Sequence, residues 1–227
     1  IIDFAAGIGT LNAGHCPPAV VDAIQKQAEN LIHTCFQVYP YGPYLDVVEQ
    51  LVEMTPGDHP KKGILFNSGA EAVENAIKIA RNATGRGTVL CFEGAFHGRT
   101  LMALSLTSKA ATYKRGFGPF MTDVVRIPFP YCLRCPVGLK PTDCDTACTS
   151  ILEDAASSYL DVTDLAAVII EPVLGEGGFI PAPIAYLQEV RKFCDRTGAV
   201  MIADEVQSGM GRTGKMFAIE YADVVPD

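Results

Sequence analysis

Residues 199 to 203 read Ala-Val-Met-Ile-Ala and stop at Asp204 and Glu205, after which glycines stand at 209, 211 and 214. Five apolar residues are too few for a helix, and an apolar run without alternation is what a strand buried on both faces of a parallel sheet needs. Ala166 to Ile170 repeats the pattern and ends in Glu171 and Pro172. Between the two runs, Leu187, Val190 and Cys194 mark the buried face of a crossover helix, so the segment reads as a β-α-β unit. Such units predict an α/β fold with a mostly parallel sheet flanked by helices. In open α/β sheets, ligands bind beyond the carboxyl ends of strands, which is where Asp204 stands.

A nucleoside triphosphatase could also use an acid there, because Gly209 to Lys215 nearly spells a phosphate-binding loop. That loop needs Ser or Thr after the lysine to hold magnesium, and Met216 occupies the position. Its glycines and its acid should also leave different strands, whereas here they are almost contiguous. A solvated acid at a strand end is the plain alternative until the other segments are counted.

Pro18 suits the first turn of a helix whose apolar face is Val20, Val21, Ile24, Ala28, Leu31 and Ile32. A second helix follows Pro43, with Tyr44, Val47, Val48, Leu51 and Val52 in register. The aromatic loop 36–44 between them can line a pocket or serve packing. Gly63 to Asn67 reads as a short strand, and Ser68-Gly69-Ala70 turns into a helix with Val73, Ala76, Ile77 and Ala80 inward. Free N–H groups at such a helix start make an anion site; a well-capped helix with nothing bound is the alternative. After a strand at Thr88 to Phe92 come Phe96, His97 and Arg99 among glycines, offering a stacking face and a carboxylate-binding fork. The strand ends are expected to converge on one crevice.

The 227 residues suffice for one large domain or a domain and a half, and 48% hydrophobic against 19% charged residues is a globular composition. A net charge of −8 argues against a nucleic-acid partner. No apolar run approaches the roughly 20 residues that span a bilayer, so no membrane partner is expected. Eight scattered cysteines point to a reducing, cytoplasmic setting.

With these segments in hand, the chain resembles the class III, fold-type I, pyridoxal-phosphate aminotransferases, and among them the 4-aminobutyrate aminotransferases. The resemblance is carried by Asp3 to Gly14, His33 to Val38, Ser68 to Ala76, Phe96 to Thr100, Glu171-Pro172-Val173, Gly175 to Gly178, and Asp204 to Gly209. It implies that residues 1–33 belong to a small amino-terminal segment and 34–227 to a large cofactor domain. It implies, further, that Ser68, Gly69 and Ala70 hold the pyridoxal 5'-phosphate phosphate, and that Phe96 with His97 and Val206 pack about the ring. Asp204 pairs with the pyridine nitrogen and Gln207 with the ring hydroxyl. Arg99 takes the substrate carboxylate, Glu176 shields a second arginine from carboxylates, and Ile8 shapes the substrate pocket. The implied reaction moves an amino group from an ω-amino acid, 4-aminobutyrate foremost, to 2-oxoglutarate in a homodimer. Ornithine-type and acetylornithine-type aminotransferases and a class III racemase are the alternatives within the fold.

Family members run beyond this chain, and their Schiff-base lysine lies after the strand that follows Asp204. Lys215 is too close to Asp204 to match it. The chain is therefore expected to be an amino-terminal half; an inactive fragment or binding module is the alternative of another class. A second departure is Cys132, Cys135, Cys144 and Cys148, a pair spaced by two residues and a pair spaced by three, in a proline-rich loop at 128–148. Two close thiol pairs suit a structural zinc, or an iron–sulfur cluster, that braces the loop. Disulfides and independent free thiols are the competing readings.

Overall fold

The computed structural model describes all residues, 1–227, and gathers the apolar runs into one parallel sheet. Its strands are β1 (Thr88–Phe92), β2 (Val124–Ile127), β3 (Leu165–Ile170) and, beyond a short antiparallel pair β4 (Val173–Leu174) and β5 (Ile180–Pro181), β6 (Val200–Ala203). The order is β2-β1-β3-β6, with every neighbouring pair parallel. Ala167 pairs with Val200 and Ile170 with Ala203, so β3 and β6 end level. The ladder closes with the Asp204 N–H donating to the Ile170 carbonyl at 2.9 Å. Glu171 and Asp204 are thereby delivered to the same edge.

The chain divides into two compact units, residues 1–65 and 66–227. In the first, α1 (Pro18–Asn30) and α2 (Gly42–Met54) form where the prolines and apolar spacing predict them. Neither helix contains a buried residue, and Val20, Ile24 and Ile32 are exposed, so the predicted apolar stripe is present but uncovered. The aromatic loop packs on itself: Phe36 stacks on Tyr44 with centroids 3.8 Å apart, and Tyr41 meets Phe36 edge-on at 5.7 Å. Residues 63–67 are not the predicted strand. They join no ladder, and the Leu65 N–H donates instead to the Tyr44 hydroxyl at 2.9 Å.

In the second unit, helices cover both faces of the sheet, which explains its unalternating apolar strands. Val73, Ile77 and Ala80 of α3 (Gly69–Thr84) join Met102, Ala103 and Leu106 of α4 (Leu101–Leu106) against Val89, Cys91, Ala167 and Ile169. On the other face, α5 (Ser150–Ser158) and α6 (Ile184–Thr197) bring Leu152, Tyr186, Val190 and Phe193 against Leu90, Phe92, Val168 and Ile170. Odd and even strand residues thus serve opposite cores, and each fully buried branched side chain contributes about 1.5–3 kcal/mol.

The start of α3 is fixed by two reciprocal contacts. The Ser68 hydroxyl accepts from the Glu71 N–H at 3.2 Å, and the Glu71 carboxylate accepts from the Asn67 N–H at 2.7 Å. Ser68→Ala should therefore lower stability by about 1 kcal/mol, read as a shifted urea midpoint with an unchanged slope. A shift of a few tenths or less would show that the Glu71 contact alone fixes the helix start.

Candidate active site

The caps of α3 account for the Glu71 N–H and leave those of Gly69 and Ala70, the first two of the helix, with no partner inside the chain. Both residues border a cavity of about 480 Å³. The rest of its wall comes from Phe96 to Thr100, Asp204 and Val206. The Val206 side chain packs tightly on Gly69: a β-carbon there would lie 2.8 Å from Val206 Cγ1. Positive helix-terminal N–H groups and a buried carboxylate thus bound one space.

Asp204 is buried, with two hydrogen bonds to its carboxylate. The His97 Nδ1–H donates to Oδ2 at 2.7 Å and the Val206 N–H donates to Oδ1 at 3.1 Å. His97 is itself locked, because its backbone N–H donates to the Thr107 hydroxyl at 2.9 Å, and that hydroxyl is shared between the Gly98 and Ala103 carbonyls. Its Nε2 is buried without a partner. An imidazole held in this way fixes both the direction and the reach of the carboxylate.

Glu171, at the end of β3, is a second buried carboxyl. It accepts from the Gly175 N–H at 3.1 Å on Oε1 and from the Phe96 N–H at 3.0 Å on Oε2. Burial pushes its pKa up to about 7 despite the nearby His97 and the Phe96 amide, and Asp204 adds to the rise. The folded chain therefore binds more protons here than the unfolded chain between pH 4.5 and about 7, and this group's contribution to stability falls as pH rises through that window. Glu171→Gln should remove that slope, so its urea midpoint relative to the wild type should be higher at pH ~8 than at pH ~5. Equal differences at both pH values would mean that Glu171 ionises as it does in the unfolded chain.

Of the sequence-predicted site residues, Gly69, Ala70, Phe96, His97, Arg99, Asp204 and Val206 meet at the cavity, and Ser68 caps the helix beneath it. Arg99 is exposed there and forms no ion pair within the chain. Gln207 stands aside, its amide oxygen lying over Gly175, 1.4 Å from where a β-carbon would sit. Glu176 also stands aside: its carboxylate accepts from Lys109 Nζ at 3.2 Å and the Tyr113 hydroxyl at 3.0 Å, and these two contacts hold its pKa low. Ile8 belongs to the 1–65 unit, exposed in a left-handed turn with φ 58°. No lysine lines the cavity. Lys215 instead donates to the Glu220 carbonyl at 3.1 Å and lies 4.9 Å from the Tyr221 ring.

The zinc expectation is corrected. No three His, Cys, Asp or Glu side chains are grouped to hold an ion, and all eight cysteines are free thiols. Cys148 is buried in the core, its pKa pushed up to about 11, first of all by burial, whereas Cys132 is exposed. Cys135 sits between: burial works against its thiolate, but the N–H groups of Val137, Leu139 and Gly138 and the Cys144 thiol hold it low. Sequence reasoning also missed the Glu171 bridge and the Lys109–Tyr113 clamp. The first had a signal, since Glu171 follows an apolar run in the same way as Asp204 does.

The family model for class III aminotransferases matches residues 1–227. The chain belongs to that family. A "probable 4-aminobutyrate aminotransferase" of Bacillus subtilis is 49% identical over 226 residues, covering 100% of this chain and 52% of the relative. A 5-aminovalerate aminotransferase of Pseudomonas putida is 47% identical over 227 residues, again 100% of this chain and 52% of the relative. Among solved structures, the taurine:2-oxoglutarate aminotransferase of Bifidobacterium kashiwanohense, in complex with PLP and glutamate, superposes with a TM-score of 0.90 at 32% identity. That match covers 99% of this chain and 50% of the other. This class III chain therefore has the fold of that group and spans about half the length of the curated relatives it matches.

Proposed function

We propose that this chain is the amino-terminal half of a pyridoxal-phosphate transaminase that moves an amino group from an ω-amino acid, 4-aminobutyrate foremost, to 2-oxoglutarate. The observation that carries the proposal is the pairing of unpartnered helix-start amides at Gly69 and Ala70 with the buried Asp204–His97 pair on one cavity. These residues fit the cofactor: amides at a helix start suit its phosphate, and a locked carboxylate suits its pyridinium. When bound, pyridoxal phosphate supplies an electron sink for the carbon that carries the transferred amine.

Each residue's part follows from its chemistry. Gly69 and Ala70 donate to the phosphate, with Ser68 holding the helix start in place. Asp204, oriented by His97, keeps the pyridine nitrogen protonated. Phe96 and Val206 would enclose the ring, and Gln207, which lies over Gly175, would have to turn to reach its hydroxyl. Arg99 offers a fork to the substrate carboxylate and so leaves the distal amine to react. Glu176 and Ile8 tune which substrates are admitted. The lysine that attaches the cofactor is assigned to sequence beyond Asp227, in keeping with the absence of a lysine from the cavity wall. A cytoplasmic homodimer is the proposed assembly. The names of the relatives support an ω-amino donor.

The test is an absorption titration of the full-length protein with pyridoxal phosphate, followed by borohydride reduction and a panel of 4-aminobutyrate, 5-aminovalerate and ornithine with 2-oxoglutarate. Cofactor trapped on one lysine, with turnover of the ω-amino acids ahead of ornithine, is expected. Ornithine as the best donor would move the assignment within the family, and no cofactor binding would end it.

A further inference from the structure

Two loops that carry proposed site residues, 93–100 and 175–179, lie against each other at backbone distance. A β-carbon on Gly177 would stand 3.1 Å from the Gly94 carbonyl oxygen, and one on Gly94 would stand 2.9 Å from the Leu174 side chain. Glu171 lies beneath this contact, buried, with one carboxylate oxygen on the Phe96 N–H and the other on the Gly175 N–H. One side chain therefore fixes the loop bearing Phe96, His97 and Arg99 and the turn bearing Glu176. We propose that Glu171 is a positioning residue whose carboxylate couples the 93–100 loop to the 175–179 turn and so sets the geometry of the cofactor-binding face.

The physical basis is the two-sided acceptor. The carboxyl group offers one oxygen to each N–H, whereas a carboxamide offers a single acceptor and turns a donor toward the other N–H. The titratable groups that face Glu171 are His97, from the loop after β1, and Asp204, from the end of β6; both belong to the cavity. Burial pushes the Glu171 pKa up to about 7, so opening the junction to water eases its ionisation, and the coupling is tightest below about 7 and loosens as pH rises through neutrality. A buried charge is costly to the fold, and its retention at the junction of two loops is accounted for by positioning rather than by stability.

The inference rests on the proposed function only for its consequence in cofactor binding, and the experiment keeps the two apart. Amide hydrogen exchange of the cofactor-free, full-length protein is followed in the 93–100 and 175–179 segments from pH ~5.5 to ~8.5, corrected for intrinsic rates, alongside pyridoxal phosphate titrations. In the wild type, protection of both segments should fall together as pH rises, with one midpoint near 7, and cofactor affinity should fall about tenfold with it. Glu171→Gln should abolish the shared midpoint and bind the cofactor about tenfold more weakly at pH ~5.5. Glu171→Asp, whose shorter side chain cannot span both amides, should keep a midpoint in one segment only. Independent or flat exchange profiles in the wild type overturn the coupling. Shared exchange midpoints without any cofactor binding uphold it and overturn the proposed function instead.

Discussion

Asp204→Asn in the full-length protein should reduce transamination by about 10³-fold, equivalent to about 4 kcal/mol of transition-state stabilisation. Cofactor affinity should fall only about tenfold. The substitution is nearly isosteric, so its effect is chemical. Oδ1 and Oδ2 now accept from the Val206 N–H at 3.1 Å and the His97 Nδ1–H at 2.7 Å. A carboxamide presents one acceptor and one donor, and so opposes one of these two N–H groups with another. Above all, it removes the negative charge that would hold a pyridinium proton, while the helix start at Gly69 and Ala70 keeps its amides. Steady-state rates, paired with a cofactor titration of the same variant, check the split. If rate and affinity fell equally, Asp204 would be a binding group only; if neither fell by more than tenfold, the cavity would be used for some other chemistry.

The parts of this arrangement that were legible in the sequence are those written locally. The apolar run before Asp204 reports a strand buried on both faces, and Ser68-Gly69-Ala70 reports a helix start, because each depends on neighbours in the chain. β2 escaped notice because Val124–Ile127 carries Arg126 in its middle. In three dimensions Nη2 of that guanidinium donates to the Ser105 and Leu106 carbonyls at 2.7 and 3.0 Å while its Nε is buried without a partner, a partial compensation that no local pattern encodes. Residues 63–67 erred the other way: they are apolar enough for a strand, yet the Leu65 N–H has a tyrosine hydroxyl as its acceptor instead of a ladder. The site follows the same rule. Its residues could be named singly, but the His97–Asp204 bond joins positions 107 apart and the Glu171–Phe96 bond positions 75 apart. The cysteine spacing suggested a metal because spacing carries no information about geometry: burial and then the nearby Cys144, Cys135 and Cys132 raise the Cys148 pKa, yet the side chains form no ligand group.

Gly98→Ala should be the most damaging small substitution near the cavity. Gly98 has φ +120°, and a β-carbon there would stand 2.6 Å from Ala70 Cβ, 2.9 Å from Ala70 Cα and 3.1 Å from Ala103 Cβ. Neither neighbour can rotate away, since one contact is with a backbone atom and the others with the first atoms of their side chains. Left-handed strain of about 1–3 kcal/mol and overpacking of similar size together predict a loss of about 2–6 kcal/mol. That is within the margin of a stable domain but a large share of it. Relief requires the loop to lift from the start of α3 or Ala70 to shift, and either movement re-aims the amide proposed for the phosphate. Pyridoxal phosphate affinity should therefore drop about 10- to 100-fold, that is, by about 1.4–2.7 kcal/mol. Gly85→Ala supplies the control: its φ is +68° and nothing lies within 4 Å of the added carbon, so it should cost about 1 kcal/mol and leave cofactor binding unchanged. If Gly98→Ala lowered the urea midpoint as predicted while affinity stayed at the wild-type value, the packing argument would hold and the anion would have to be bound elsewhere than at Gly69 and Ala70.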